Sequence, residues 1–146
     1  MAFDLDDFCR RLAEDAPDAI VYADAQGVIR FWNRGAAQIF GWSAAEAVGR
    51  SLDIIIPERL RERHWEGWRR VMATGTSRYA AGETLAVPGQ RKDGTRVSLE
   101  FTILPFPAEG GGVAGMAAIL RDVSKRFEEL QRLRRELAGK PPQRSA

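Results

Sequence analysis

Short stretches of the chain alternate between apolar and polar residues, and this alternation predicts β-strands. In RVSLEFTIL, positions 97, 99, 101 and 103 are apolar and the residues between them are polar, so one face of this strand should be buried. Strand-like runs at 78–87 and 113–120 flank the run at 95–105, with turns at QRKDGT and PAEGGG between them. Nearer the N-terminus, AIVYAD and VIRFW surround a glycine-bearing turn and predict a hairpin.

Other stretches repeat their apolar residues at helical spacing. A helix is predicted over 5–15, and two short helices should begin at the caps Asn33 and Ser43. The longest helical pattern covers 52–75, and its apolar stripe includes the one histidine of the chain. The members of this stripe are Leu60, His64, Trp68 and Val71.

A last helical pattern, RDVSKRFEELQRLRREL, follows the final strand-like run. Its apolar residues have a heptad-like spacing, which favours pairing with a second copy of the chain; the alternative is packing against the same domain. We therefore divide the chain into an N-terminal amphipathic helix (1–16), a central body (17–121), a C-terminal helix (122–138) and a tail expected to be disordered (139–146).

The order of these elements predicts an α+β fold. The natural assembly is a five-stranded antiparallel sheet with helices on one face and a further helix at each end of the chain. Such an arrangement has a concave interior between sheet and helices, where small ligands can bind.

Charge and composition exclude several classes of function. The net charge is +2, and the positive excess lies in 121–146, so the body has no basic face that would indicate a nucleic-acid partner. No apolar run is long enough to span a membrane. Cys9 is the only cysteine, which favours a cytoplasmic setting. With one histidine and one cysteine, the chain has neither a classical Cys/His zinc site nor a nucleophile–base motif, so we do not expect an enzyme.

The candidate binding residues cluster on the longest predicted helix. Neutral imidazole is a good iron ligand, so His64 on an apolar face could hold a metal; the alternative is a core histidine bonded to a backbone carbonyl. Trp68 lies one turn beyond it and is the tryptophan expected in a pocket. Arg70 and Arg78 could pair with the carboxylates of a ligand, or could be solvated surface groups.

Taken together, several motifs resemble the PAS family of sensory domains. They are DAPDAIVYADAQGVIRFWNRGAAQIFGWSAAEAVGR, MATG, GQRKDGT and LRDVS, and in their order they cover about 14–124. The resemblance implies the PAS fold, which is the same five-stranded antiparallel sheet with helices on one face.

Within this family, IPERLRERHWEGWRRVMATGTSRY is similar to the FixL-type haem domains, which sense oxygen. In those proteins a histidine on the long helix ligates the haem iron, and His64 is at the matching position. The resemblance implies haem b as the cofactor, with Arg70 and Arg78 near its propionates and with Tyr79, Phe101 and Ile103 on the gas-binding side.

The chain departs from the FixL-type pattern on that gas-binding side. Glu83 or Thr84 aligns with the arginine that steadies bound oxygen, so the ligand can be O2, CO or NO. A flavin photosensor of the LOV type would need a reactive cysteine within NRGAAQIFGWSAAEA, and that stretch has none.

We therefore expect a cytoplasmic haem-based sensor of a diatomic gas. It should form a homodimer through its terminal helices and act on a histidine kinase or another output domain, with no nucleic acid or membrane as partner. The alternative is a haem-free PAS dimerisation or interaction module, or a sensor of a small organic ligand.

Overall fold

The computed structural model describes residues 2–75 and 85–139. Its helices and strands follow the predicted order, and a single turn of 3-10 helix over Leu52–Ile55 precedes the longest helix. The helices are α1 (Leu5–Asp15), α2 (Arg34–Phe40), α3 (Ala44–Ala47), α4 (Glu58–Thr74) and α5 (Ser124–Gly139). The strands are β1 (Ala19–Asp24), β2 (Ile29–Trp32), β3 (Leu85–Gln90), β4 (Arg96–Pro107) and β5 (Val113–Asp122).

The five strands form one antiparallel sheet in the order β2-β1-β5-β4-β3, which confirms the predicted fold class. The prediction ended the third strand at 87 and was wrong there, because β3 continues through Pro88 to Gln90. Proline is tolerated at this position because β3 is an edge strand, where a missing backbone N–H costs little. The predicted strand residues 78–84 lie outside the described residues.

The inner face of the sheet carries the hydrophobic core. On β4, Val97 and Leu99 are buried, and Phe101 and Ile103 are partly buried against the same core. The alternation read from the sequence is thereby confirmed. Met116 and Leu120 of β5 extend this core across the middle of the sheet.

Within the helical pattern over 52–75, Pro57 is predicted near the start of the helix and Gly75 at its end, which agrees with α4; Leu52–Ile55 form a separate turn of 3-10 helix. Ile56 has extended dihedral angles (φ −109°, ψ 122°), because a residue that precedes proline disfavours the helical region. Pro57 caps α4, which then runs to Thr74 and ends at Gly75 in the left-handed conformation (φ 72°).

Asn33 joins three parts of the chain through its buried side chain. Its Oδ1 accepts hydrogen bonds from the backbone N–H groups of Ile20 and Ala36, each at 2.9 Å. Its Nδ2 donates to the carbonyls of Ala16 and Asp18, at 3.3 and 3.0 Å. The predicted cap of α2 is confirmed, and the same amide also holds the segment between α1 and β1.

We expect Asn33→Ala to lower the free energy of unfolding by about 3 kcal/mol, because it leaves several buried backbone groups without a partner. Urea denaturation monitored by circular dichroism measures the change. Ser43→Ala, which removes the exposed cap of α3, is the matched control and should cost about 1 kcal/mol. Equal losses in the two variants would contradict the role given to Asn33.

Candidate cofactor-binding site

Helix α4 packs against the inner face of the sheet through one side only. Trp68 and Val71 are 8% and 6% exposed and belong to the core that includes Met116. His64 and Leu60, earlier on the same stripe, are half-buried. The stripe therefore runs from a partly accessible end near His64 to a fully buried end near Val71.

The imidazole of His64 forms one aromatic cluster with the indoles of Trp65 and Trp68, which also contact each other. Its centroid is 4.6 Å from that of Trp65, which stands edge-on at 77°, and 5.9 Å from that of Trp68. Its Nδ1 is buried and has no hydrogen-bond partner among the described residues. A core histidine would normally bond this nitrogen to a backbone carbonyl, so the structure does not support that alternative at Nδ1.

Burial lowers the pKa of His64, and the nearby carboxylate of Asp53 opposes this effect only in part. The ring is therefore neutral near pH 7, and neutral imidazole is the form that ligates a metal ion. An unpartnered buried nitrogen with a depressed pKa fits the donor that haem iron requires.

Trp65 and Trp68 connect α4 to the turn between β1 and β2. The Nε1 of Trp68 donates to the carbonyl of Ala25 at 3.0 Å. The Nε1 of Trp65 donates to Oδ1 of Asp53 at 2.8 Å, and its six-membered ring covers Gly27. Sequence analysis placed Gly27 in a hairpin turn and counted Trp65 among the tryptophans that could stack on a cofactor, but it did not bring them together with Asp53, because no periodicity or motif connects these positions.

The predicted gas-side residues that the structure describes lie on the sheet. Phe101 and Ile103 are inner-face residues of β4 and pack against the core that contains Trp68. Arg70 is exposed on α4. Arg78 and Tyr79, together with the mismatched pair at 83–84, lie outside the described residues.

Space for a porphyrin is the more demanding requirement. Met72 of α4 and Val113 of β5 also pack against this core, as do Phe101 and Ile103. Since protein interiors are close-packed, a porphyrin between α4 and β4 would require these side chains to move apart. The imidazole of His64 fits haem as a donor. Uptake of haem would require the side chains packed between α4 and the sheet to rearrange.

Comparison with known proteins identifies the family. The model of the PAS fold matches residues 13–128, which is most of the chain. The chain belongs to the PAS family. Its order of elements and its antiparallel sheet agree with this assignment, and no helix among the described residues is long and apolar enough to cross a membrane.

Two curated relatives of this PAS domain are sensors. It is 30% identical to the sensor protein FixL of Bradyrhizobium diazoefficiens over 128 residues, covering 84% of this chain and 25% of that protein. It is 27% identical over 106 residues to the oxygen sensor protein DosP of Escherichia coli, covering 73% of this chain and 13% of that protein. The chain thus spans a quarter or less of these relatives.

A solved structure gives a different comparison. An RNA-binding light-oxygen-voltage receptor superposes with a TM-score of 0.71 at 25% identity, covering 92% of this chain and 37% of that one. The cysteine of this PAS domain does not suit covalent flavin chemistry. Cys9 is exposed on α1, and helices α2 and α3 contain no cysteine. The fold is therefore shared with a light-oxygen-voltage receptor as well as with the two sensors.

We expect His64 in the ligand-free domain to titrate below the ordinary histidine pKa of about 6.5. Because folding lowers this pKa, protonation favours the unfolded chain, and stability should fall as the pH drops below about 6.5. Proton NMR of the one histidine over a series of pH values measures its pKa, and the same spectra show whether the domain remains folded. Asp53→Asn removes the charge that opposes the shift and should lower the pKa further. A pKa at or above 6.5 in the wild type would contradict the burial of the ring.

Proposed function

We propose that this PAS domain is a non-catalytic sensor that binds haem b through His64 and responds to a diatomic gas. The observation that carries the proposal is the buried, unpartnered Nδ1 of His64 on the side of α4 that faces the core. Similarity to an oxygen sensor over 73% of the chain supports it independently.

Each residue of the site would have a distinct task. His64 would supply the neutral imidazole that ligates iron, and Trp68 would contact the cofactor one turn further along α4. Haem iron, when bound, supplies a coordination position at which O2, CO or NO can bind. The cofactor propionates would be paired by Arg70 and Arg78, and the gas-binding side would be formed by Tyr79, Phe101 and Ile103.

The identity of the gas depends on the side of the cofactor opposite His64. Glu83 or Thr84 stands where FixL-type domains have an arginine. A carboxylate from Glu83 there would disfavour a ligand that gains negative charge, so it would favour CO or NO over O2.

Strand β4 offers a route by which the signal can leave the site. Phe101 and Ile103 are on its inner face, while Ser98 and Glu100 contact the start of α5. The backbone N–H of Ser98 donates to Oγ of Ser124 at 2.9 Å. Glu100 pairs with Arg126 at 2.7 Å. A shift of β4 would therefore move α5, provided that the gas binds two conformations with different affinity.

The terminal helices expose apolar side chains that a second copy of the chain could cover. A homodimer through these helices, with a histidine kinase or another output domain as the recipient of the signal, completes the proposal. The exposed residues are Phe3, Leu5, Phe8 and Leu12 on and beside α1, and Phe127, Leu130, Leu133 and Leu137 on α5.

The second candidate is a haem-free PAS interaction module, or a sensor of a small organic ligand. The core that α4 shares with the sheet favours it, because Trp68 and Val71 already pack in one cluster with Met116 of β5. Uptake of haem by the purified domain distinguishes the two.

Haemin added to the purified domain should give a sharp Soret band, and His64→Ala should abolish or shift it. Added imidazole should restore the band in that variant, since it replaces the missing ligand. Arg63→Ala is the control, because Arg63 is the exposed neighbour of His64 on α4. Identical spectra for the wild type and His64→Ala would remove His64 from the site, and no uptake by the wild type would favour the second candidate.

Leu130→Arg should convert the dimer to a monomer if α5 forms the interface, because a buried unpaired charge is costly. Size-exclusion chromatography with light scattering measures the mass. Leu104→Arg is the matched control, since Leu104 is 61% exposed on the outer face of the sheet and Leu130 is 47% exposed on α5. Loss of the dimer in the control alone would place the interface on the sheet.

A further inference from the structure

The orientation of the His64 ring is not set by a hydrogen bond at Nδ1. A hydrogen bond at a ring nitrogen usually fixes the orientation of a histidine that serves as a metal ligand. Here Nδ1 is buried with no partner in residues 2–75 and 85–139. Packing against neighbouring rings must therefore hold the imidazole.

Trp65 gives the closer of the two ring contacts. Its edge-on geometry, with centroids 4.6 Å apart, is a preferred arrangement of aromatic pairs. The ring of Trp68 lies further from the imidazole, at 5.9 Å. Trp65 is therefore the neighbour best placed to determine the direction in which His64 points.

Trp65 is itself held from two other sides. Its Nε1 donates to Oδ1 of Asp53 at 2.8 Å, a charge-assisted bond in a partly buried setting. Its six-membered ring covers Gly27, where an added Cβ would overlap the ring, so only glycine allows this contact. The orientation of the Trp65 indole is therefore constrained, and the ring of His64 packs against it.

We propose that Trp65, fixed by its hydrogen bond to Asp53 and by its contact with Gly27, is the positioning residue for His64. The orientation of the ring is a property of the ligand-free chain. Its consequence for iron rests on the proposed function.

The ligand-free domain tests the orientation. Because the chain has one histidine, its ring protons can be assigned without ambiguity, and the adjacent indole should shift them by its ring current. We expect Asp53→Ala and Trp65→Phe to move these resonances toward those of a free histidine. Asp53→Asn keeps an oxygen acceptor for Trp65 and should retain the wild-type chemical shifts, all variants being compared at an alkaline pH at which the His64 ring is neutral in each.

Trp42→Phe is the matched control. Trp42 is also an indole against the core, but its Nε1 has no hydrogen-bond partner among the described residues, and its ring lies beside Arg50 and Lys92. The same chemical change there should leave the His64 resonances unmoved. Circular dichroism verifies that each variant is folded.

The haem-loaded domain tests the consequence. Asp53→Ala and Trp65→Phe should raise the rate of haem loss by about 10- to 100-fold, the usual effect of removing a support of a metal ligand, and Asp53→Asn should not. The double variant Asp53→Ala/Trp65→Phe should be no worse than Trp65→Phe alone, because both changes act through one hydrogen bond.

The NMR and haem-loss experiments distinguish the positioning role of Trp65 from the binding of haem. Wild-type His64 shifts in a folded Asp53→Ala variant would overturn the positioning role, whatever the cofactor. Loss of the shifts in Asp53→Asn as well would overturn the part given to the hydrogen bond. The expected NMR pattern in a domain that takes up no haem would leave the positioning intact and refute the proposed function.

Discussion

The packing of α4 against the inner face of the sheet determines what this domain can do. Trp68 and Val71 bury one side of the helix in the core, and two indole N–H groups bond it to Asp53 and to the carbonyl of Ala25. The hydrogen bonds fix the rotation and height of the helix, while the buried side chains supply most of the stabilisation. Every property of His64 follows from where this contact places it.

This contact creates a conflict between stability and binding. A close-packed core is favourable in the ligand-free chain, yet a planar cofactor would need the same volume. The unpartnered Nδ1 of His64 lowers the free energy of unfolding of the domain slightly. A buried polar atom without a hydrogen-bond partner marks a place where a bound ligand could add stabilisation. Binding would then shift the equilibrium toward a core in which α4 and β4 are further apart.

Helix α5 contacts the sheet differently from α4. Helix α5 is attached to β4 by hydrogen bonds and an ion pair, and its apolar residues remain exposed. Polar contacts of this kind add little stability but have well-defined geometry, and they leave the apolar surface of α5 exposed. The core and the exposed helix are therefore linked through β4 and through β5, which carries Met116 and Leu120 and leads directly into α5.

Local signals in the sequence determined most of the fold. The alternation in β4, the cap Asn33 and the proline before α4 act through neighbouring residues, so each could be interpreted without knowledge of the rest. The apolar stripe containing His64 and Trp68 was visible for the same reason.

Only the tertiary structure decided how His64 is surrounded. Trp65 meets Gly27 and Asp53 because α4 lies across the turn between β1 and β2, and such contacts between distant parts of the chain leave no local pattern. The same holds for the unpartnered Nδ1, since burial and the lack of a partner are properties of the assembled core, not of the helix alone.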